Sequence, residues 1–198
     1  RNHEQALDSA ARLGQTAPGI AHMWHMPGHI YSKGKRYQDA VWQQQASARV
    51  DHKHMMQWFL LPDQIHNYAH NNEWLSRNFS YLGMVRASID MAKSLLGNPR
   101  HPELNTPGRG SARYGRRALI SYLEKAELWQ EAIETANSPW LQVLSNPDDD
   151  LSRLRLIGVA QANLGQQVDL RKTIEGFESQ LEKIKADQEQ AKKKAKEK

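Results

Sequence analysis

The stretch Tyr31-Ser32-Lys33-Gly34-Lys35-Arg36-Tyr37-Gln38-Asp39-Ala40 predicts the end of one helix, a tight turn and the start of a second helix. Gly34 suits a helix C-terminus because it lacks a side chain. Tyr37 opens the second helix, and Ala40 follows three positions later, on the same face. Three later turns repeat this organisation around a small residue, and they lie at Leu82–Ser88, Ala126–Ala132 and Leu164–Val168. Recurrence of this kind indicates stacked pairs of helices.

Helical periodicity also dominates between these turns, and no segment alternates apolar and polar residues as a strand would. The fold class is therefore predicted to be all-α. Among the helices we expect Asn2–Leu13, ended by Gly14, and Gln64–Leu82, capped by Asp63. We divide the chain into a helical repeat domain, residues 1–183, and a Lys-rich polar helical tail, residues 184–198.

Composition excludes several function classes. No apolar run approaches the roughly 20 residues of a membrane span, so we expect no membrane insertion. The tail supplies +3 of the formal net charge of +5, and the body, at +2, lacks the strong positive field of a nucleic-acid-binding protein. The absence of cysteine excludes disulfides, thiolate metal sites and a cysteine nucleophile, and it leaves the cellular compartment open.

Histidines supply the main chemical feature. His22, His25 and His29 are spaced i, i+3 and i+7, which places them within an arc of roughly 60° on one helix. His66 and His70 form an i, i+4 pair on another predicted helix, with Glu73 on the same arc. If these helices are neighbours, the five imidazoles converge.

Three interpretations of this histidine cluster stay open. The imidazoles pack and hydrogen-bond between helices, or they bind Zn, Cu or Ni, or they perform ligand or proton chemistry. The sequence contains neither the His-Glu-x-x-His motif nor the Gly-x-Ser-x-Gly motif, and this favours a binding module over an enzyme.

Two segments resemble the tetratricopeptide repeat: Gly34 with Tyr37-x-x-Ala40, and Leu156-Ile157-Gly158-Val159-Ala160-Gln161-Ala162-Asn163-Leu164-Gly165. The turns are spaced more widely than the roughly 34 residues of that repeat. The resemblance implies a right-handed solenoid of antiparallel helical hairpins. The stretches Ala21–Tyr31 and Ile65–Trp74 also look like those of large bacterial, exported tetratricopeptide proteins, some joined to redoxin-type domains. That likeness implies an exported, periplasmic module of a larger polypeptide.

The resemblance further implies a concave binding groove lined by the first helix of each pair. Mapped onto this chain, the groove contains Trp24, Tyr31, His70, Glu73, Arg77 and Tyr81. Exposed aromatic and Arg side chains are typical of peptide recognition. We therefore expect a scaffold that binds a protein, a peptide or another domain of the same chain. The alternative is that Trp24 and Tyr31 pack against the preceding helix.

One further apolar run, Met55–Leu61, allows two interpretations. We expect it to pack beneath the turn at Pro62, and the alternative is an exposed apolar patch that binds a partner.

Overall fold

A computed structural model describes residues 6–104, 110–143 and 147–196. Of these residues 82% are helical and none belongs to a strand, which confirms the all-α prediction. None of the described helices is both long and apolar enough to cross a bilayer. The α-helices of the described residues are α1 Leu7–Thr16, α2 Ala21–Lys33, α3 Tyr37–Trp58, α4 His66–Tyr81, α5 Val85–Gly97, α6 Ser111–Lys125, α7 Trp129–Ala136, α8 Pro147–Asn163 and α9 Gln167–Lys196.

The helices form two compact units, Arg1–Tyr122 and Leu123–Lys198. In the first unit α1 to α5 pack each against the next, and α2 also contacts α4. In the second unit α8 packs against α7 and α9, and the tail predicted from residue 184 continues α9 as helix. Sequential packing is compatible with a helical repeat fold. The right-handed solenoid and the boundary at residue 183 stay predictions.

Glycines bring helices close together in the first unit. A Cβ atom on Gly14 would lie 2.3 Å from the Trp24 ring, and one on Gly28 would lie 2.3 Å from the Gln44 side chain. The prediction that Gly14 ends α1 is wrong, because α1 continues to Thr16 with Gly14 buried inside it. Because Gly14 has no side chain, the Trp24 ring of α2 packs directly against α1 at this position.

Asp63 is also not the helix cap that its position predicts. It lies in a short 3-10 helix, Pro62–Gln64, and α4 begins at His66. Its carboxylate accepts hydrogen bonds from the backbone N–H groups of His101, at 3.1 Å, and Ser111, at 2.8 Å. Asp63 therefore ties the turn before α4 to the start of α6, 48 residues later.

The run Met55–Leu61 is only partly packed. Met55 is buried, whereas Met56, Trp58 and Phe59 are exposed, Phe59 by 92%. Phe59 has a left-handed backbone conformation, with φ of 54°. Its backbone N–H donates a hydrogen bond to the carbonyl of Met55, and α3 ends there. The expectation that the whole run packs beneath Pro62 is therefore wrong for these three side chains.

Gly115 provides a direct test of the close helix packing. A Cβ atom there would lie 2.6 Å from the backbone carbonyl oxygen of Ala92 in α5, and backbone cannot rotate away as a side chain can. We expect Gly115→Ala to lower the free energy of unfolding by about 1–3 kcal/mol, the usual range for overpacking. Urea denaturation followed by circular dichroism measures this change.

Gly176→Ala is the matched control, because nothing lies within 4 Å of a Cβ atom at that helical position. It should leave stability unchanged or raise it by up to about 1 kcal/mol through helix propensity. Equal effects of the two substitutions would contradict the close approach of α5 and α6.

Candidate metal centre

Helices α2 and α4 bring three imidazoles together. His25 and His29 lie one turn apart on α2, and His70 faces them from α4. One ring nitrogen from each lies within 4.8 Å of the other two. The Nε2 atoms of His25 and His29 are 2.6 Å apart, and the His25 and His70 ring centroids are 4.9 Å apart. The predicted convergence of the two histidine-bearing helices is therefore present in the fold.

His25 is the innermost member and is held by two amide side chains. Its side chain is only 2% exposed, and its Nδ1 atom lies 3.0 Å from Oε1 of Gln44 and 3.1 Å from Oδ1 of Asn71. The Asn71 amide nitrogen donates to the backbone oxygen of Gln44, so its oxygen must face the imidazole. Both partners are acceptors, and Nδ1 therefore carries the proton. The lone pair of His25 lies on Nε2, which faces His29.

His22 and His66 flank this group. The His22 ring stacks on His25 at 5.7 Å between centroids, and the His66 ring stacks on His70 at 5.6 Å and 10°. Both are exposed, and neither contributes a nitrogen to the set within 4.8 Å. Of the five histidines predicted as metal ligands, three are therefore clustered and two lie at the solvent-exposed edge.

Aromatic rings border the cluster. The Trp74 ring meets the His29 ring edge to face, with 4.2 Å between the ring centroids. The centroid of the Tyr114 ring lies 6.3 Å from that of His70. Arg77 lies over the Trp74 ring at 4.6 Å and pairs with Glu73, one turn earlier on α4. Glu73 was predicted as a carboxylate beside the histidines, but its partner is Arg77. The cluster is therefore made of neutral nitrogen donors.

Burial determines the charge state of the three imidazoles. The pKa of His29 is lowered to about 4, mainly by burial and in addition by the neighbouring His25 and His70. Burial also lowers the pKa of His70 to about 4, with His25 and His66 as additional causes. For His25, burial lowers the pKa although its hydrogen bonds to Asn71 and Gln44 act in the opposite direction. All three rings are therefore neutral near pH 7, which is the form that binds metals.

The six predicted groove residues do not all face solvent. Tyr31 is 5% exposed and packs with Ala10 of α1 and Ala40 of α3. Trp24 lies against Gly14 of α1 and donates its indole N–H to the carbonyl of Pro18. These two residues therefore pack against the preceding helix, as the alternative interpretation held. Four predicted groove residues remain on one face of α4, and they are His70, Glu73, Arg77 and Tyr81.

Sequence reasoning missed Gln44, Trp74 and Tyr114 as parts of this site. Gln44 belongs to the run Gln43-Gln44-Gln45 in the middle of α3. A buried polar residue usually has a specific partner, so glutamines on the inner face of a helix are a usable signal. Trp74 and Tyr114 carry no such signal, because aromatic residues at helical spacing are normal in cores.

The lowered pKa values predict loss of stability in acid. The unfolded chain binds protons on these histidines near pH 6.5, whereas folded His29 and His70 bind them only near pH 4. The unfolded state therefore holds more protons between these values, and stability falls as the pH decreases through that range. We expect the free energy of unfolding, measured in urea at a series of pH values, to fall between pH 6.5 and pH 4.

His70→Gln should reduce the slope of that pH dependence. His52→Gln, at an exposed position on α3 outside the cluster, should leave it unchanged. A slope identical in the wild type and in the His70→Gln variant would contradict the desolvation of this cluster.

Comparison of the chain with protein-family models, with curated proteins and with solved structures finds no match. The likeness to the tetratricopeptide repeat therefore rests on the residues quoted above and on the sequential packing of helices. Function has to be inferred from the site itself, whose three desolvated imidazoles are its distinguishing chemical feature.

Proposed function

We propose that this helical domain binds a divalent transition metal, Zn, Cu or Ni, through His25, His29 and His70. The observation that carries the proposal is the convergence of three ring nitrogens within 4.8 Å of one another. Imidazole is a usual ligand for these ions, and three histidines form a recurrent ligand set for zinc. Because metal binding requires neutral imidazoles, the lowered pKa values reduce competition from protons.

The environment of His25 supports the same proposal. Metal-binding histidines usually donate their second ring N–H to an acceptor, which fixes the ring and its tautomer. Gln44 and Asn71 supply such acceptors from α3 and α4. These acceptors at Nδ1 fix the ring so that its other nitrogen, Nε2, faces Nε2 of His29 at 2.6 Å.

The short contact between His25 and His29 is close to a metal-binding geometry. Two nitrogens bound to one tetrahedral zinc ion, at about 2.0–2.1 Å each, lie about 3.3 Å apart. The observed Nε2 separation is 2.6 Å. Replacing this hydrogen bond by a metal ion therefore requires the two nitrogens to move apart by about 0.7 Å. His29 is the partly exposed member of the pair.

Metal analysis tests the proposal directly. We expect the purified domain to bind about one Zn²⁺ per chain, measured by elemental analysis after dialysis. A ligand at 100 times its dissociation constant stabilises the native state by about 2.7 kcal/mol. Saturating zinc should therefore raise the midpoint of thermal unfolding, and a chelator should reverse the increase.

His29→Ala and His70→Ala should each abolish stoichiometric binding, since each removes one of three ligands. Both side chains are partly exposed, so these variants disturb packing less than a change at buried His25. His52→Ala is the control for adventitious binding by a surface histidine. Zinc binding that survives both cluster substitutions, or that falls equally in the control, would refute the proposal and favour histidines that only pack between helices.

A second candidate function is binding of a protein, a peptide or another domain of the same polypeptide at the exposed face of α4. The observation that favours it is the arrangement of Arg77 and Tyr81 on this rigid helix. Tyr81 is 48% exposed and pairs with Tyr37 of α3 at 4.8 Å between ring centroids. Aromatic and Arg side chains held in this way are common at interface hot spots.

Site-specific photo-crosslinking tests the α4 face. Tyr81 is replaced by p-benzoylphenylalanine in the polypeptide as its native cell produces it. We expect irradiation to yield one discrete adduct, because the exposed ring would lie within the interface. The same replacement at Gln130, an exposed position on α7, is the control. An identical adduct pattern at the two positions, or no adduct at position 81, would contradict this candidate function.

A further inference from the structure

In the part of the chain that the structure describes, the three-histidine cluster has no fourth ligand in place. Among the described residues, the set of ring nitrogens and carboxylate oxygens within 4.8 Å contains only His25, His29 and His70. Glu73 is paired with Arg77. A zinc-type ion prefers four ligands, and sites with three protein ligands take the fourth from solvent or substrate.

The charge around this open position favours an anion. Three neutral imidazoles leave the +2 charge of a divalent ion uncompensated, because no carboxylate belongs to the set. Lys33 on α2 and Arg77 on α4 are the positive groups that influence His29 and His70. Glu73 offsets the charge of Arg77 through their ion pair. The local charge is therefore positive once a metal ion is bound.

The cluster has a buried side and a more exposed side. His25 lies on the buried side, against Gln44 and Asn71. His29 and His70 are partly exposed, and the exposed His22 and His66 mark the solvent edge. A small ligand would therefore approach the metal from this edge.

We propose that the metal held by His25, His29 and His70 takes a small anion as an exchangeable fourth ligand, an inference that rests on the proposed metal binding. The chemical class is a monoanionic oxygen or nitrogen donor, such as hydroxide or the carboxylate of a small molecule. The domain is then an open metal centre, which presents its ion to an anionic ligand, and not a closed structural site.

One competing arrangement would close the site. His66 stacks nearly parallel to His70 from the preceding turn of α4, at 5.6 Å and 10°. Rotation of its side chain toward the cluster would supply a fourth imidazole and exclude an external ligand. The two arrangements predict opposite responses to a small anion, and His66 is the residue that distinguishes them.

Cobalt substitution and azide provide the test. The metal-free protein is loaded with Co²⁺ in chloride-free buffer, and the bound cobalt is first measured by elemental analysis. Azide is then titrated while the visible absorption of the cobalt is recorded. We expect azide to shift the cobalt bands saturably in the wild type, and to do so with the same affinity in the His66→Ala and His52→Ala variants.

Each result has one meaning. A band shift in the His66→Ala variant but not in the wild type shows that His66 closes the site and overturns the inference. Bands that azide leaves unchanged in every variant overturn it too, while stoichiometric cobalt keeps the proposed metal binding intact. Absence of bound cobalt in the first measurement overturns the inference, and elemental analysis for zinc then decides whether the proposed metal binding stands.

Discussion

The structure of the first unit depends on one buried imidazole and the two amides that hold it. His25 belongs to α2, Gln44 to α3 and Asn71 to α4, so a single ring joins three helices. A buried N–H group without a partner costs about 1–3 kcal/mol, and this cost disfavours any arrangement that separates these helices. The same hydrogen bonds fix the tautomer of His25. Packing and site chemistry are therefore set by the same contacts.

Close helix packing is the second requirement for this geometry. Gly28 lies against Gln44, and a side chain at position 28 would displace the amide that holds His25. Ser47 of α3 donates to the carbonyl of Ala21 at the start of α2, which fixes the other end of this helix pair. Asn67 of α4 donates to buried Asp51 of α3 at 2.6 Å. Polar contacts between neighbouring helices thus define the register in which the histidines meet.

Local patterns determined much of the fold, because they act within a few residues. The helical class and the turn at Gly34 follow from periodicity and turn residues. The roles of Gly14 and Asp63 were mispredicted because each residue has a local and a distant use. Gly14 accommodates Trp24 inside α1, and Asp63 binds backbone groups of His101 and Ser111. Distant partners of this kind leave no mark in the neighbouring sequence.

The sequence by itself determined which imidazoles share a helix face, since the spacing of His22, His25 and His29 on α2 and of His66 and His70 on α4 is a property of the helix. Only the tertiary structure decided that His25, His29 and His70 form the cluster while His22 and His66 lie at its edge. The tertiary structure also buries the three clustered imidazoles, which lowers their pKa values, and it pairs Glu73 with Arg77 in an ion pair. The physical reason is that solvation and pairing depend on which helices become neighbours, and neighbours are separated in this chain by about forty residues of sequence.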